Sequence, residues 1–274
     1  MKLAFSTLGC PQWNLDEIVE AATAHGYGAV ELRALGGSLD LLNRAELQPG
    51  AVGATRARLD AEGLSVCCVS TPAAFHAIDD AERRTQIETA VLHAELAAAL
   101  GAPVIRVFPN EVPVGATREQ TRDRIAAALL DVARRVPAGV RVGLETHGDF
   151  ARGAATAEIA RLADHPAVAI IWDVANSVAA GDTVAEAADA VGPFLAHVHL
   201  RDARPVVGRE HWLPVLAGRG LVPFDETAEA LARLGYEGYV SFEWEKYWHP
   251  EIEEPDVALP DFARAVRDGA WRDR

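Results

Sequence analysis

Residues 140–176, VRVGLETHGDFARGAATAEIARLADHPAVAIIWDVAN, open on a short β-rich run, pass through a stretch of helical period and end in a second β-rich run closed by an aspartate. A strand, a helix and a strand in that order form a crossover unit, the connection that parallel strands require. The same alternation extends from this stretch to both ends of the chain. Strands are expected near residues 3–7, 28–33, 64–70, 103–108, 140–146, 168–173, 195–201 and 238–243, each separated from the next by amphipathic segments. Several of those segments carry helix-end signals. Asn14 precedes Leu15-Asp16-Glu17 and Gly26 closes that helix, Thr117 precedes Arg118-Glu119, and Asp225 leads to Gly235. The segment from Asp79 to Gly101 is the longest and richest in alanine. Eight unbroken alternations point to the α/β class and to a (β/α)8 TIM barrel, because eight is the number of parallel strands that closes. A doubly wound open sheet is the alternative. No GxGxxG turn follows the first strand, which weighs against a nucleotide-binding version of it.

The 274 residues exceed the usual length of one domain, but barrels of this kind reach that size as a single unit, so one domain over 1–274 is expected. Half of the residues are hydrophobic and 24% are charged, enough of each for a globular chain with a large core. The net charge of −14 would repel a polyanion, so nucleic acid is not an expected partner. Three cysteines, two of them adjacent in an apolar run, suggest neither a disulfide framework nor a CxxC metal site. The chain opens directly on a strand-like run and has no stretch long enough to span a bilayer. A cytoplasmic protein without membrane contact is expected. Two connections, 34–52 and 202–224, are long and follow strand carboxyl ends, where barrel enzymes place active-site loops. Both are candidate lids. The segment 244–274 is expected to close the barrel mouth and to end in the last helix, and its tryptophans make a homo-oligomer plausible.

Chemistry concentrates at the ends of strands five to eight, in VGLETH, IIWDVAN, HVHLRD and VSFEWE. Neighbouring strands lie about 4.8 Å apart, so four ligand-type residues on four consecutive strand ends converge at one mouth. Any one such residue is more often a solvated or capping group. Four together, partly buried, would raise one another's pKa values and cost several kcal/mol unless a cation compensated them. Glu145, Asp173, His199 and Glu243 are therefore the expected metal ligands. Three carboxylates and one imidazole suit Mn²⁺ or Mg²⁺ and tolerate Co²⁺ or Zn²⁺. In the seventh strand, alternation puts His197, His199 and Arg201 on one face, with His199 nearer the strand end and His197 deeper. The reverse order of the two histidines is the alternative.

The chain resembles the xylose isomerase-like TIM barrel superfamily along essentially its whole length, and in particular its sugar phosphate isomerase/epimerase branch, the AP endonuclease family 2-like proteins. The resemblance rests on KLAFSTLG, AVELR, VIRVF, GLETH, WDVAN, HVHLRD and SFEWE, of which the last four are the specific ones. It implies that Glu145, Asp173, His199 and Glu243 match the family's metal ligands. It further implies that Glu145 and Glu243 are catalytic, one removing a proton from the carbon beside a carbonyl and the other returning it. The reading of the residues agrees with this: a cation stabilises a developing enediolate while a positioned carboxylate moves the proton.

Arg201, His147, Glu31, Arg106, His211 and Asn176 are the candidate substrate-binding residues. For Glu31 and Arg106, pairing inside the barrel is an equally good explanation, and Arg33 leans to that structural role. Lys246 follows Glu243 closely and would assist proton transfer if burial lowered its pKa, although a surface lysine is the simpler reading. Two positions depart from the family's ketose 3-epimerases. Asn176 stands where they have a His, and Pro205 where they have an Arg. The additional histidines of the superfamily's three-zinc endonucleases are not visible either. The expected function is a metal-dependent isomerase or epimerase of a small carbohydrate, a keto-sugar or a polyol derivative. A lyase or dehydratase on the same site is the alternative, and a catalytically silent binding barrel is a third reading.

Overall fold

A computed structural model describes residues 2–209 and 211–269. In chain order the elements are β1 Lys2–Ser6, α1 Leu15–His25, β2 Ala29–Leu32, α2 Val52–Ala61, β3 Ser65–Ala74, α3 Asp80–Leu100, β4 Val104–Phe108, α4 Arg118–Ala133, β5 Arg141–Glu145, α5 Gly153–Ala163 and β6 Val168–Asp173. They continue with α6 Val174–Ala179, α7 Val184–Val191, β7 Leu195–Leu200, β8 Asp202–Arg204, β9 Leu213–Val215, α8 Phe224–Arg233, β10 Tyr239–Phe242 and α9 Pro255–Asp268. Eight of the strands close into a parallel barrel in the order β1, β10, β7, β6, β5, β4, β3, β2. This is the (β/α)8 architecture read from the alternation, and all eight expected strands are present. No helix among the described residues is long and apolar enough to cross a membrane.

The helix ends form where the side chains demand them. Asn14 Oδ1 accepts from the backbone of Asp16 and Glu17 while Glu17 reaches back to the Asn14 N–H at 2.7 Å, a reciprocal cap on α1. Thr117 and Gln120 do the same for α4. Helix α8 starts at Phe224, so Asp225 lies in its first turn rather than capping it. The stretch 34–52 is not a bare loop but contains 3₁₀ turns at Leu41–Asn43 and Ala45–Leu47. The other long connection holds the antiparallel hairpin β8–β9. Three-residue strands are too short to display a period of two, which is why the sequence reads as loop there. The Asp202 carboxylate fixes this region by accepting from the N–H groups of Ala203, Gly220 and Val222. Gly220 is required at that spot, since a Cβ would overlap the Asp202 carboxylate.

The chain divides into two compact units, Met1–Cys67 with Val198–Arg274, and Cys68–His197. In the first, one strand face is apolar: Phe242 stacks on Phe262 of α9 at 4.2 Å, and Phe5 meets Tyr27, just past the end of α1, edge-on at 5.1 Å. The opposite face carries small and polar residues in register, with Ala4 beside Ser241, Ser241 beside His199 and Ser6 beside Glu31. In the second unit the corresponding face carries Arg106 beside Gly143 and Glu145 beside Ile171. Gly143 leaves the space that Ile171 and Val104 fill, because a Cβ there would come 2.7 Å from Ile171 Cγ1. The segment after β10 folds back on itself, Trp244 Nε1 donating to Glu253 O, and is tied to the turn after β1 by the Tyr247 N–H donating to Leu8 O. Residues 270–274 of the expected closing segment lie outside the described residues.

Candidate active site

Strands β2, β7 and β10 place four buried charged groups together in the first unit. His199, on β7, has its Nε2 3.0 Å from Glu31 Oε2 and its Nδ1 3.3 Å from Glu243 Oε1. Arg201, just past the same strand, donates from Nη1 to Glu243 Oε2 at 3.1 Å and lies 3.6 Å from Glu245. Burial works against the charged imidazole, but Glu243 and Glu31 outweigh it and hold the His199 pKa well above its ordinary value. Burial likewise works against ionised Glu243, and His199 with Arg201 overcomes it, so its pKa is depressed. Of the two readings of Glu31 left open by the sequence, substrate hydroxyls or pairing inside the barrel, the structure shows a pair, with its carboxylate on His199.

These opposed shifts fix a pH dependence for the metal-free protein. His199 contributes stability fully below its unfolded value of 6.5 and loses it as the pH climbs through the raised folded value. Glu243 contributes above its unfolded value of 4.5 and loses it as the pH falls through the lowered one. They are largely one interaction, so the stability difference between the chelator-treated wild type and His199→Gln is expected to peak between pH 4.5 and 6.5. Thermal unfolding across pH checks this, and a difference independent of pH counts against a charged pair.

The second unit holds the other half of the expected residues. Glu145 ends β5, 2% exposed, with Arg106 Nε 3.2 Å from its Oε2; the same Nε also donates to Ser70 Oγ at 3.3 Å. The Arg106 guanidinium lies over the Phe108 ring at 3.7 Å, and the His147 ring packs against Phe108 at 4.8 Å. Arg106 Nη1 is buried with no hydrogen-bond partner among the described residues. Asp173 ends β6 and caps α6, its Oδ1 accepting from the Asn176 N–H at 2.9 Å. Thr146 locks the neighbouring backbone, accepting from Asp173 N–H and donating to Asp173 O. Asn176 donates from Nδ2 to Thr146 O at 3.2 Å. Histidines aside, the buried charged residues of this unit among the described residues are Arg106, Glu145 and Asp173.

The remaining expectations fall further out. His197 is buried, one step deeper on β7 than His199. His211 is exposed on the connection between β8 and β9. Lys246 ties down the tail: its Nζ donates to Pro250 O at 2.8 Å and Ile252 O at 2.6 Å and pairs with Glu254. His249 sits 3.7 Å from both Glu245 and Glu251. Sequence reasoning missed Ser70, Phe108, Thr146 and Glu245. For Ser70 and Thr146 the residue types are too common to signal anything, whereas Phe108 closes VIRVF two residues beyond Arg106 and shares its face by alternation.

A (β/α)8 barrel with buried acids, imidazole and guanidinium groups at the carboxyl ends of its strands defines the class. The chain belongs to the xylose isomerase-like TIM barrel family, whose profile matches residues 19–265. No curated protein sequence matches the chain. Among solved structures, an IolI protein with a binding zinc atom superposes with a TM-score of 0.82 at 18% identity, covering 99% of each chain. The probable 3-DHS dehydratase AsbF of Bacillus anthracis gives 0.76 at 17% identity, covering 97% of this chain and 98% of that one. D-psicose 3-epimerase of Clostridium cellulolyticum H10, solved with D-tagatose, gives 0.75 at 18% identity over 99% and 98%. At such identities the likeness is one of fold.

Proposed function

We propose that the protein is a divalent-metal-dependent isomerase or epimerase of a small carbohydrate, a keto-sugar or polyol derivative. The observation that carries this reading is that each compact unit buries part of the expected donor set at its strand ends, Glu145 and Asp173 in one and His199 and Glu243 in the other. The donor set fits: three carboxylates and one imidazole make an oxygen-rich site that suits Mn²⁺ or Mg²⁺ and accepts Zn²⁺ or Co²⁺. The zinc named for the IolI protein and the sugar named for the epimerase are consistent with the same reading.

When bound, the ion supplies Lewis-acid stabilisation to negative charge developing on substrate oxygens. The chain's own groups do the rest. Glu145 and Glu243 are the proton-transfer groups, each oriented by one arginine, Arg106 on Glu145 and Arg201 on Glu243. The spare Arg106 Nη1 is a buried donor available to a substrate oxygen. Asp173 is held rigid by its capping bond and Thr146, as a ligand must be. A lyase outcome is the second reading, supported by one observation: half-buried His147, two residues past β5 and packed against Phe108, is an acid that would protonate a departing group.

Incubating the metal-loaded protein with a panel of keto-sugars and polyol-derived ketones in D₂O decides among these. Deuterium incorporation at one carbon without mass loss is the expected result, and loss of water selects the lyase. Absence of exchange with every substrate, in protein that holds its metal, would overturn both.

A further inference from the structure

We propose that Glu31 is a positioning residue of the metal centre, fixing the His199 ring so that Nδ1 and not Nε2 is the atom offered to the ion. The inference rests on the metal reading above and adds to it which nitrogen binds and what holds it there. His199 Nε2 lies 3.0 Å from Glu31 Oε2. Both side chains are fully buried, so water cannot substitute for that bond. Strands β1 and β10 stand between β2 and β7 in the barrel order, and on the shared face they carry Ala4, Ser6 and Ser241. All three are small and buried, which leaves room for a glutamate and an imidazole to meet across two strands. A neutral imidazole has one N–H and one lone pair. A carboxylate on Nε2 accepts the N–H and leaves the lone pair on Nδ1, the nitrogen that already faces Glu243, another expected ligand, at 3.3 Å. A carboxylate behind a ligating histidine fixes its tautomer and strengthens it as a donor, and loss of such a partner costs about 10–100-fold in metal affinity.

The test compares wild type, Glu31→Gln, Glu31→Asp and Asp173→Asn, each stripped with chelator and titrated calorimetrically with Zn²⁺. Long-range ¹H–¹⁵N NMR of the zinc-loaded wild type reads the His199 tautomer. Glu31→Gln keeps the volume and removes the charge; Glu31→Asp keeps the charge and withdraws it by one methylene. Both are expected to bind Zn²⁺ about 10–100-fold more weakly than wild type, with zinc on Nδ1 and the proton on Nε2 in the wild type. Wild-type affinity in Glu31→Asp would mean that charge alone matters, and would overturn the positioning role. So would a wild-type proton found on Nδ1. Abolished binding in Asp173→Asn beside unchanged binding in Glu31→Gln rejects the Glu31 proposal alone, whereas absence of zinc uptake by the wild type rejects the metal reading and this one with it.

Discussion

Glu145→Gln and Glu243→Gln proteins are each expected to lose substrate inversion by about 10²–10⁴-fold, the range that a positioned acid–base group supplies. The two losses should differ in kind. Inversion needs a proton removed from one face of the carbon and returned to the other, so a variant lacking one glutamate still exchanges hydrogen through the remaining one. In D₂O, one epimer should lose its hydrogen to solvent without inverting in Glu145→Gln, and the opposite epimer should do so in Glu243→Gln. If one glutamate performs both halves, as a 1,2-isomerisation permits, one variant loses all exchange and the other keeps it, which selects isomerase over epimerase. Each substitution also alters an expected ligand, so rates are compared only at equal metal content, measured on the same samples. Normal turnover in both variants would remove the glutamates from the chemistry.

The strand ends were readable because two signals coincide there. A β-rich run ends, and a residue type rare in apolar surroundings follows; that is the case for Glu145 after VGL, for Asp173 after IIW and for His199 in HVHL. All of them are buried at those ends. What the sequence could not convey is who pairs with whom. Glu31 meets His199 across 168 residues and Arg106 meets Glu145 across a strand boundary, and nothing in AVELR or VIRVF names the partner. Lys246 is a second case of an unreadable partner: proton transfer and a plain surface lysine were both open, and neither reading named the two backbone carbonyls of its own segment to which it donates. The β8–β9 hairpin escaped because its stability comes from Asp202 reaching the N–H groups of residues 220 and 222, a tertiary arrangement with no local pattern.

Arg106→Met is expected to destabilise the metal-free protein by about 3–5 kcal/mol, the effect of stripping one partner from a buried ion pair. Arg106 and Glu145 are each 2% exposed at the side chain, so water cannot solvate the carboxylate left behind. The stacking of the guanidinium over Phe108 is lost as well, a smaller contribution of about 0.5–2 kcal/mol. Adding Glu145→Gln to Arg106→Met should restore most of the stability, because the stranded charge is then gone. Arg201→Met should cost less than the full loss of a buried partner, since Glu243 retains His199 at 3.3 Å as a second cationic partner. Mn²⁺ should rescue Arg106→Met more than it stabilises wild type, because the ion supplies the positive charge that the guanidinium no longer does. Urea unfolding of the four proteins, with and without Mn²⁺, gives every one of these differences. Equal stability of the single Arg106→Met and the double variant would show that the buried carboxylate is not the source of the loss, and with it would go the argument that this end of β5 is built to hold charge.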